Sequence, residues 1–478
     1  MPTTNYNRKG LNLRRWEPVQ DALAATAAGA CVALANQTKQ KALHLNSNTA
    51  AFLYTPEEDG FATLASPALA GTFGAGAAIC AAHWSIGSSA GFQGLTATAG
   101  TTSTITTNQT IVSDLRGYPI HILAGPNAGQ TLTIRSNTIG TNSIITVDVQ
   151  GSAFSASTVY RLGTPVWYVN GAGTTAAGTF RKYDWATNTW TTLAQTGLPG
   201  TIATDSCLVT TPSYQGSAYV SFATGTATAG AGSTLTNSAK NWATDQWRNS
   251  QIRIVSGTGA GQIRTISSNT ATVITVGTAW TTQPDNTSVY SIEGNDDFIY
   301  YMGSAAVTLY RYSITSNSWT TLTPTAARAV APAGGMSAHW IWGVTETDWT
   351  TENTIRNGQR IYSFRGGAGM VLDYYDIAAN TWVSGVTVAP NSEVFGTGSK
   401  YAYYGNFIYI QKDATLRWYR LNVSTGEMDG FGTLKNTSGA AIVGNTAYIY
   451  LYTDGATVIP YLYFILNTSV LHERQMIF

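Results

Sequence analysis

The chain has 478 residues, and its 26 basic and 25 acidic side chains give a formal net charge of +1. Only 11% of the residues are charged, against roughly 25% in an average soluble domain. Nucleic-acid-binding proteins concentrate Lys and Arg, so the near-neutral charge excludes nucleic acid as a main partner. The 44% of hydrophobic residues can bury a large core, which excludes a disordered chain.

Residues 1–30 are predicted to form an N-terminal arm. The arm is solvated, docked on a neighbouring subunit or, less favoured, in contact with DNA. The residues of a docking arm would be Arg8, Lys9, Arg14, Arg15 and Trp16. The apolar run at residues 22–35 resembles the core of a signal peptide. It is rich in alanine and follows Glu17 and Asp21, so we expect no export signal. The run is also shorter than the about 20 residues that span a bilayer, so no membrane contact is expected.

A repeated aromatic frame runs through the rest of the chain. A tyrosine is followed by a tryptophan across an Asn-containing turn at Tyr183 and Trp190, Tyr312 and Trp319, and Tyr375 and Trp382. Phe61 replaces the tryptophan after Tyr54, and Tyr419 and Tyr463 begin degenerate copies. Each copy follows two short runs of β-branched or aromatic residues, as strands do. Four strands in each of six units predict an all-β, six-bladed β-propeller, in which the repeated tryptophans pack between blades.

The spacing of the repeat predicts two insertions. Tyr375, Tyr419 and Tyr463 are equally spaced, at the about 40–50 residues of one blade. The intervals from Tyr54 to Tyr183 and from Tyr183 to Tyr312 are also equal, but they are far longer. Matching motifs lie inside them, such as Gly-Pro-Asn-Ala-Gly-Gln at residues 125–130 and Gly-Thr-Gly-Ala-Gly-Gln at 257–262. We therefore expect two homologous inserted domains, each a small β-sandwich or barrel.

The predicted boundaries follow from these motifs. The propeller takes residues 31–93, 163–224 and 294–478, and the inserted domains take 94–162 and 225–293. The first strand of the second and third units is predicted at residues 82–85 and 218–221. Both insertions, like the polar loop at residues 345–358 of the fourth unit, fall between the first and second strands. All three should therefore emerge on one face of the propeller.

The Tyr-Asp-x5-Trp frame followed by Thr-Thr-Leu resembles the blades of kelch-type propellers, and Gly366-Gly367 is the nearest match to their paired glycines. The inserted units, with their Gly-x-x-Ala-Gly-Gln turn, resemble modules of structural proteins of tailed bacteriophages. This resemblance implies a non-enzymatic virion protein without a cofactor. It would be a rigid scaffold in the neck, tail or baseplate that contacts other virion proteins, as a homo-oligomer within a symmetric assembly.

Two other functions stay open. A glycan-binding receptor module, on a tail fibre or as a secreted lectin, would use exposed aromatics that flank the fourth-unit loop, namely Trp340, Trp342 and Trp349. A secreted propeller glycosidase is less favoured, and its residues would be Arg360, Arg365, Tyr362 and Glu346. Catalysis needs convergent titratable groups, whereas the five histidines are scattered, so no catalytic or metal-binding residue is predicted. The three cysteines are far apart and are expected to be buried free thiols.

Overall fold

The fold is taken from a computed structural model. It describes residues 17–18, 31–35, 39–45, 51–64, 74–85, 94–174, 180–198, 201–203, 205–215, 218–341, 359–387, 395–413, 415, 417–433, 447–454, 457–465 and 472–477. Over these ranges the chain consists of strands and loops, with one 3₁₀ turn at Gly366–Ala368. No helix in the described ranges is long and apolar enough to cross a membrane.

Six antiparallel sheets, numbered here along the chain, share one plan of four successive strands. Sheet 1 has β2 (Cys31–Ala35), β3 (Lys41–Leu45), β4 (Ala51–Thr55) and β5 (Gly60–Thr63). Sheet 2 has β6 (Gly74–Ala82), β14 (Val166–Thr174), β15 (Phe180–Asp184) and β16 (Thr189–Thr192), and β17 (Thr201–Ile202) extends it beside β14. Sheet 3 has β18 (Cys207–Thr210), β28 (Phe298–Met302), β29 (Leu309–Ser313) and β30 (Ser318–Leu322).

The remaining sheets come from the C-terminal part of the chain. Sheet 4 has β31 (Ser337–Trp340), β32 (Arg360–Phe364), β33 (Val371–Asp376) and β34 (Thr381–Thr387). Sheet 5 has β35 (Lys400–Tyr404), β36 (Phe407–Gln411), β37 (Arg417–Asn422) and β38 (Met428–Thr433). Sheet 6 has β39 (Ala447–Asp454), β40 (Thr457–Ile465) and β41 (His472–Met476), and its fourth strand is the N-terminal β1 (Glu17–Pro18). The two ends of the chain therefore meet in one sheet.

The repeated frame is a hairpin held by one side-chain hydrogen bond. The Tyr183 hydroxyl donates to the Asn188 carboxamide oxygen at 2.8 Å, and Tyr183 is the register partner of Trp190. Tyr312 with Asn317 and Tyr375 with Asn380 repeat the bond, and Tyr54 makes it with Asp59. Each acceptor residue has a positive φ, which Asn and Asp tolerate better than other side chains do. The tyrosine and the tryptophan are seven residues apart because they are cross-strand partners on either side of this turn.

Buried clusters join each sheet to the next. The cluster between sheets 1 and 2 includes Trp167 and Tyr183, and the one between sheets 2 and 3 includes Trp319. Similar clusters join sheets 3 and 4, 4 and 5, and 5 and 6. The last one packs Tyr448 and Tyr463 of sheet 6 against Tyr54 of sheet 1. Four-stranded sheets that pack face to face around a closed ring form a β-propeller, and the tryptophans of the frame lie in its inter-sheet clusters as predicted.

Two further sheets lie between the first and second strands of sheets 2 and 3. We name the first barrel 1, and it contains β7 (Leu95–Gly100), β8 (Thr104–Thr107), β9 (Pro119–Ala124), β10 (Thr131–Thr133), β11 (Ser136–Asn137), β12 (Ile144–Thr146) and β13 (Val159–Leu162). Barrel 2 contains β21 (Ser221–Thr226), β22 (Ala229–Ala231), β23 (Thr234–Thr236), β24 (Gln251–Ser256), β25 (Ile263–Asn269), β26 (Val273–Val276) and β27 (Val289–Glu293). Barrel 2 begins at Ser221 rather than at residue 225.

Strand order shows that each of these sheets closes on itself. The order is β10-β9-β13-β7-β8-β12-β11 in barrel 1 and β21-β27-β24-β25-β26-β23-β22 in barrel 2. The terminal strands β10 and β11 are separated only by residues 134–135, whose amides donate to Tyr118 and Thr146 on opposite sides. They correspond to the unbroken β25 of barrel 2. In the same way, β21 and β22 of barrel 2 together correspond to the single strand β7 of barrel 1. Both sheets therefore have the same barrel topology, and each barrel has one of its long strands divided into two short ones.

One predicted strand position is wrong. Residues 218–221 are not the first strand of sheet 3, because β18 at Cys207–Thr210 pairs with β28 instead. Ala218–Tyr219 forms β20, which pairs in a short hairpin with β19 (Tyr214–Gln215), and Ser221 begins barrel 2. In the second unit the strand β6 ends at Ala82, so His83 and Trp84 follow the first strand. Both runs have strand-like composition, and the choice between them depends on pairing with a strand far along the chain.

Candidate functional site

The first strands of the six sheets surround a cavity of about 580 Å³, which we call the axial cavity. Its lining includes residues 31–34 of β2, 77–81 of β6, 207–210 of β18, 337–340 of β31, 401–404 of β35 and part of β39. Six of the lining residues are alanines, whose small side chains let neighbouring strands approach the axis. Ligand pockets commonly measure about 300–1,000 Å³, so the cavity could hold a small molecule.

Burial shifts the pKa of the three thiols and of one imidazole in the cavity wall toward the uncharged form. Cys31, Cys80 and Cys207 are free thiols, and burial raises the pKa of each, that of Cys207 to about 12. Burial lowers the pKa of His339 to about 4, so its imidazole is neutral at pH 7. A thiol needs an electropositive partner to become a nucleophilic thiolate, and burial acts in the opposite direction here. These four side chains therefore offer hydrogen bonds and apolar contact rather than charge.

Polar side chains gather at one end of the cavity, which we call the barrel-side mouth. Gln40, His83 and Gln215 follow the carboxyl ends of β2, β6 and β18, and the chain enters the two barrels after β6 and β18. The Tyr403 hydroxyl hydrogen-bonds with the Gln215 side chain, and the Tyr403 ring lies 5.3 Å from that of His339. This end therefore combines two imidazoles, two carboxamides and a phenol.

A buried carboxyl group marks the opposite end of the cavity. The Gly335 amide donates to the Asp205 carboxyl at 2.9 Å, and burial raises the pKa of this group. Burial also lowers the pKa of nearby Lys400 to about 8, against the opposing influence of Asp205. Asp205 precedes β18 of sheet 3 and Lys400 begins β35 of sheet 5, so this electrostatic interaction is between two sheets.

A second polar constellation, the junction cluster, lies where the barrels meet the propeller. Arg161 of barrel 1 pairs with Asp296 at 2.8 Å, and Asp296 also accepts hydrogen bonds from the Ser213 amide and hydroxyl. The Arg161 guanidinium stacks 4.3 Å from the ring centre of Trp84. These contacts tie barrel 1 to the loops of sheets 2 and 3.

Barrel 2 contributes the other half of the junction cluster. Arg253 pairs with Glu293 at 2.6 Å, and its guanidinium lies 3.6 Å from the ring centre of Tyr219. The Tyr219 hydroxyl shares a 2.9 Å hydrogen bond with Thr131 of barrel 1, and Thr131 is bonded to His121. Burial, followed by the charges of Arg161 and Arg253, lowers the pKa of His121 well below its usual value. A continuous network therefore connects both barrels to the propeller.

The predicted surface tryptophans have different outcomes. Trp340 is 1% exposed and packs in the cluster between sheets 3 and 4, so its predicted place on the surface is wrong. Alternate residues of β31 face opposite sides, and Trp340 shares with Ala338 the side that faces sheet 3. Trp342 and Trp349 lie outside the described residues, so the glycan-binding prediction stays a prediction for them. The arm residues Arg8, Lys9, Arg14, Arg15 and Trp16 also lie outside.

The residues of the glycosidase alternative do not gather around an open site where they are described. Asp373 accepts hydrogen bonds from both Arg365 and Arg328 and is itself 1% exposed, so these arginines form a buried structural triad. Tyr362 is buried between sheets 4 and 5, and Glu346 lies outside the described residues. Over the described ranges, no group of three or more His, Cys, Asp and Glu side chains is placed to hold a metal ion.

Sequence reasoning missed the residues that line the axial cavity. Gln40 and Ser337 belong to no motif, and only the closure of the ring brings them to one wall. The one signal in the sequence was the first strand of each repeated unit. Because these strands lie nearest the axis of a propeller, their residues could have been named as candidates for the cavity wall.

No protein family matches this sequence, and no curated protein matches it. Solved structures with a similar fold include a six-bladed fucose-binding lectin of Aleuria aurantia, with 10% identity, 94% of this chain and 90% of that chain covered, and a TM-score of 0.35. The phage phi92 endosialidase matches with 10% identity over 98% of this chain and 69% of its own, with a TM-score of 0.31. These similarities are too low to support a functional argument, and the architecture rests on the strand pairing itself.

Proposed function

We propose that this chain is a non-enzymatic structural protein of a large assembly, in which a six-bladed, kelch-like propeller is a rigid scaffold for two inserted barrels. The observation that carries the proposal is the junction cluster, in which a buried ion pair joins Arg161 of barrel 1 to Asp296 and the ring of Tyr219 contacts Arg253 of barrel 2. Arg161 and Arg253 are each at most 5% exposed. A module on a flexible tether would not bury such charges at its base, because an unpaired buried charge is costly.

The barrels also contact each other in a reciprocal way. Gly129 of barrel 1 lies against the Val255 carbonyl of barrel 2, and Gly261 of barrel 2 lies against the Leu123 carbonyl of barrel 1. Gly129 and Gly261 occupy the same position of the Gly-x-x-Ala-Gly-Gln turn, and both have a φ of +87°. This pseudo-two-fold contact supports a fixed geometry of the pair, as a scaffold needs.

Barrel 1 carries the apolar surface expected of a docking module. Its exposed large apolar side chains are Val112, Ile139, Ile144 and Val149, and Val149 is 76% exposed. Over the described residues, barrel 2 has no exposed apolar side chain of this size. Exposed apolar groups concentrated on one module favour a protein–protein contact there.

The resemblance of the inserted units to tailed-phage modules makes a virion the assembly that we propose, with a place in the neck, tail or baseplate. Its partners would be other virion proteins and further copies of this chain in a symmetric ring. The N-terminal arm would add a second docking element. Two residues of the predicted arm, Glu17–Pro18, form β1, the outermost strand of sheet 6, so this part of the arm belongs to the propeller.

The test is mass spectrometry of purified particles from the virus or cell that encodes this chain. We expect the protein at a fixed ratio to the other virion proteins. Particles that assemble with Ile139→Asp should contain much less of it, whereas Val307→Asp, an equally polar change at an exposed residue of sheet 3, should not reduce its incorporation. Absence of the wild-type protein from purified particles would overturn the proposal.

A further inference from the structure

His121 lies on the outer face of barrel 1, against loops of the propeller. Its neighbours Ile120 and Ile122 in β9 belong to the buried core of the barrel, so the imidazole between them faces the junction cluster instead. The centre of its ring lies 5.9 Å from that of Tyr219 and 6.1 Å from that of Trp84. Neither aromatic residue belongs to barrel 1, and His121 is fully buried. The docking of barrel 1 therefore covers this imidazole.

The charged groups around His121 disfavour a proton on its ring. Arg161 is its register partner in β13, and Arg253 reaches the cluster from barrel 2. The acidic groups of the cluster, Asp296 and Glu293, are already paired with these two arginines at 2.8 and 2.6 Å. A proton on His121 would therefore add a third buried cation beside two arginines whose carboxylates are already engaged.

The hydrogen bonds of His121 also fit a neutral ring. Its Nδ1 shares a 2.7 Å hydrogen bond with the Thr131 hydroxyl, which in turn shares one of 2.9 Å with the Tyr219 hydroxyl. Its Nε2 is buried and has no hydrogen-bond partner among the residues that the structure describes. Burial, followed by the charges of the two guanidinium groups, lowers the pKa of this imidazole well below its usual value. In the docked position an imidazolium would bury a second N–H donor without an acceptor.

We propose that the junction cluster is an acid-sensitive latch, in which a proton on His121 releases barrel 1 from Trp84 and the β19–β20 hairpin while both barrels stay folded. A solvent-exposed imidazole takes up a proton below about pH 6.5, whereas the docked ring does not, so acid favours the released form. Above about pH 6.5 the docked form keeps its full stability. For one histidine, this linkage raises the released population about 25-fold between pH 7 and pH 5.

The experiment is hydrogen exchange with mass spectrometry on the full chain at pH 7, 6 and 5, corrected for the intrinsic rate. The reporters bond across the junction, since the Ser85 amide donates to the Leu162 carbonyl at 2.7 Å and the Leu162 amide donates to the Ser85 hydroxyl at 3.0 Å. We expect their protection to fall about 25-fold between pH 7 and pH 5. The Val147 amide, which donates to the Ser103 carbonyl inside barrel 1, should keep its protection.

Two variants assign the effect to one side chain. His121→Gln can still bond to Thr131 but takes up no proton, so its junction protection should change less than about three-fold over the same range. His83→Gln is the matched control, because His83 adjoins Trp84 at the edge of the cluster, and it should respond like the wild type. Thermal unfolding at pH 7 shows whether each variant is folded.

Unchanged junction protection in the wild type at pH 5 would overturn the proposal, and this result needs no variant. So would an equal fall in His121→Gln, or loss of the response in His83→Gln. Equal loss of protection at Val147 would also overturn it, because barrel 1 would then unfold rather than leave the propeller. None of these measurements concerns incorporation into particles, so the latch and the scaffold role fail separately.

Discussion

Barrels 1 and 2 share a topology but are anchored differently. The residue four positions before the Gly-x-x-Ala-Gly-Gln turn is His121 in barrel 1 and Arg253 in barrel 2. Their partners in the neighbouring strand are Arg161 and Ser291. The arginine of barrel 1 pairs with Asp296, outside the barrel, whereas that of barrel 2 pairs with Glu293 of its own last strand. Barrel 1 also has Gly163 where barrel 2 has Glu293, so its arginine has no acidic partner at that position and pairs outside the barrel.

The comparison shows how a duplicated module acquires two roles. Barrel 2 is closed by its own charges, and its surface has no large exposed apolar side chain over the described residues. Barrel 1 depends on the propeller for its charge partner and exposes apolar side chains. The loop of its β11–β12 hairpin, residues 138–143, is also longer than the matching residues 270–272 of barrel 2; it carries Ile139, and Ile144 follows it directly. The two barrels therefore differ at the surface that contacts the propeller and in the apolar side chains exposed to solvent.

The largest effect is expected from loss of one partner of a buried ion pair. Arg253→Met should leave Glu293 buried without a counter-charge and cost about 3–5 kcal/mol, mainly as instability of barrel 2. Arg161→Met should cost a similar amount, but as loosening of barrel 1 from the propeller. Hydrogen exchange followed by mass spectrometry distinguishes the two patterns. The double change Arg253→Met with Glu293→Leu should restore most of the stability, and equal damage from the single and double variants would contradict this account.

The next effect concerns the reciprocal glycines. Gly129→Ala and Gly261→Ala should each destabilise the protein by about 2–4 kcal/mol, because each Cβ would collide with a carbonyl of the other barrel at a φ unfavourable to L-residues. Thermal unfolding measures the loss. The matched controls are Gly151→Ala and Gly232→Ala, where an added Cβ meets nothing within 4 Å. If a control variant lost as much stability as Gly129→Ala or Gly261→Ala, close contact between the barrels would not explain the loss.

Acid should affect barrel 1 before barrel 2. The folded state keeps His121 neutral because its pKa is lowered, whereas the unfolded chain binds a proton below about pH 6.5. Stability is therefore lost as the pH falls through 6.5, by up to about 1.4 kcal/mol per pH unit. Barrel 2 contains no histidine. Hydrogen exchange at pH 7 and pH 5, corrected for the intrinsic rate, should show selective loss of protection in barrel 1.

The matched variant for this effect is His121→Gln, which cannot take up a proton. Its barrel 1 should show no selective loss between pH 7 and pH 5. Loss of the same size in wild type and variant would assign the acid sensitivity to other groups, such as His339 in the propeller, whose pKa is also lowered.

The smallest effect on stability concerns the exposed side chains of barrel 1. Ile139→Thr should change the free energy of unfolding by no more than about 0.5 kcal/mol, since Ile139 is 60% exposed. The buried Ile145→Thr in the same hairpin should cost several times more, because it places a hydroxyl in the barrel core. Chemical denaturation compares the two, and a large loss from Ile139→Thr would show that this side chain packs inside the molecule.

Much of the architecture could be predicted from local patterns. The Tyr–Asn turn and its cross-strand tryptophan lie in one short segment of the chain. The repeat of this segment therefore predicted the hairpins of sheets 2, 3 and 4. Sheet 5 differs, since its turn uses Gly426 at a φ of 73° and Tyr419 pairs with Gly430, which is why that copy looked degenerate. The first strand of sheet 3 was misplaced because two runs with similar propensity compete for one partner strand.

The candidate site could not be predicted in the same way. Gln40 comes from sheet 1 and Ser337 from sheet 4, and only the closure of the ring brings them to one cavity wall. The predicted exposure of Trp340 was wrong for a related reason. Composition marks an aromatic residue beside a loop, but only the neighbouring sheet decides whether it meets solvent or core.

The sequence by itself determined the all-β class, the repeated hairpin and the pair of related insertions, because periodic strands and tight turns depend on residues close together in the chain. The tertiary structure alone decided which strands line the axis, how the N-terminal strand completes the last sheet, and which arginine pairs outside its own barrel. These outcomes depend on contacts between residues more than a hundred positions apart, such as Arg161 with Asp296. Burial and charge pairing select such contacts, and local propensity does not encode them.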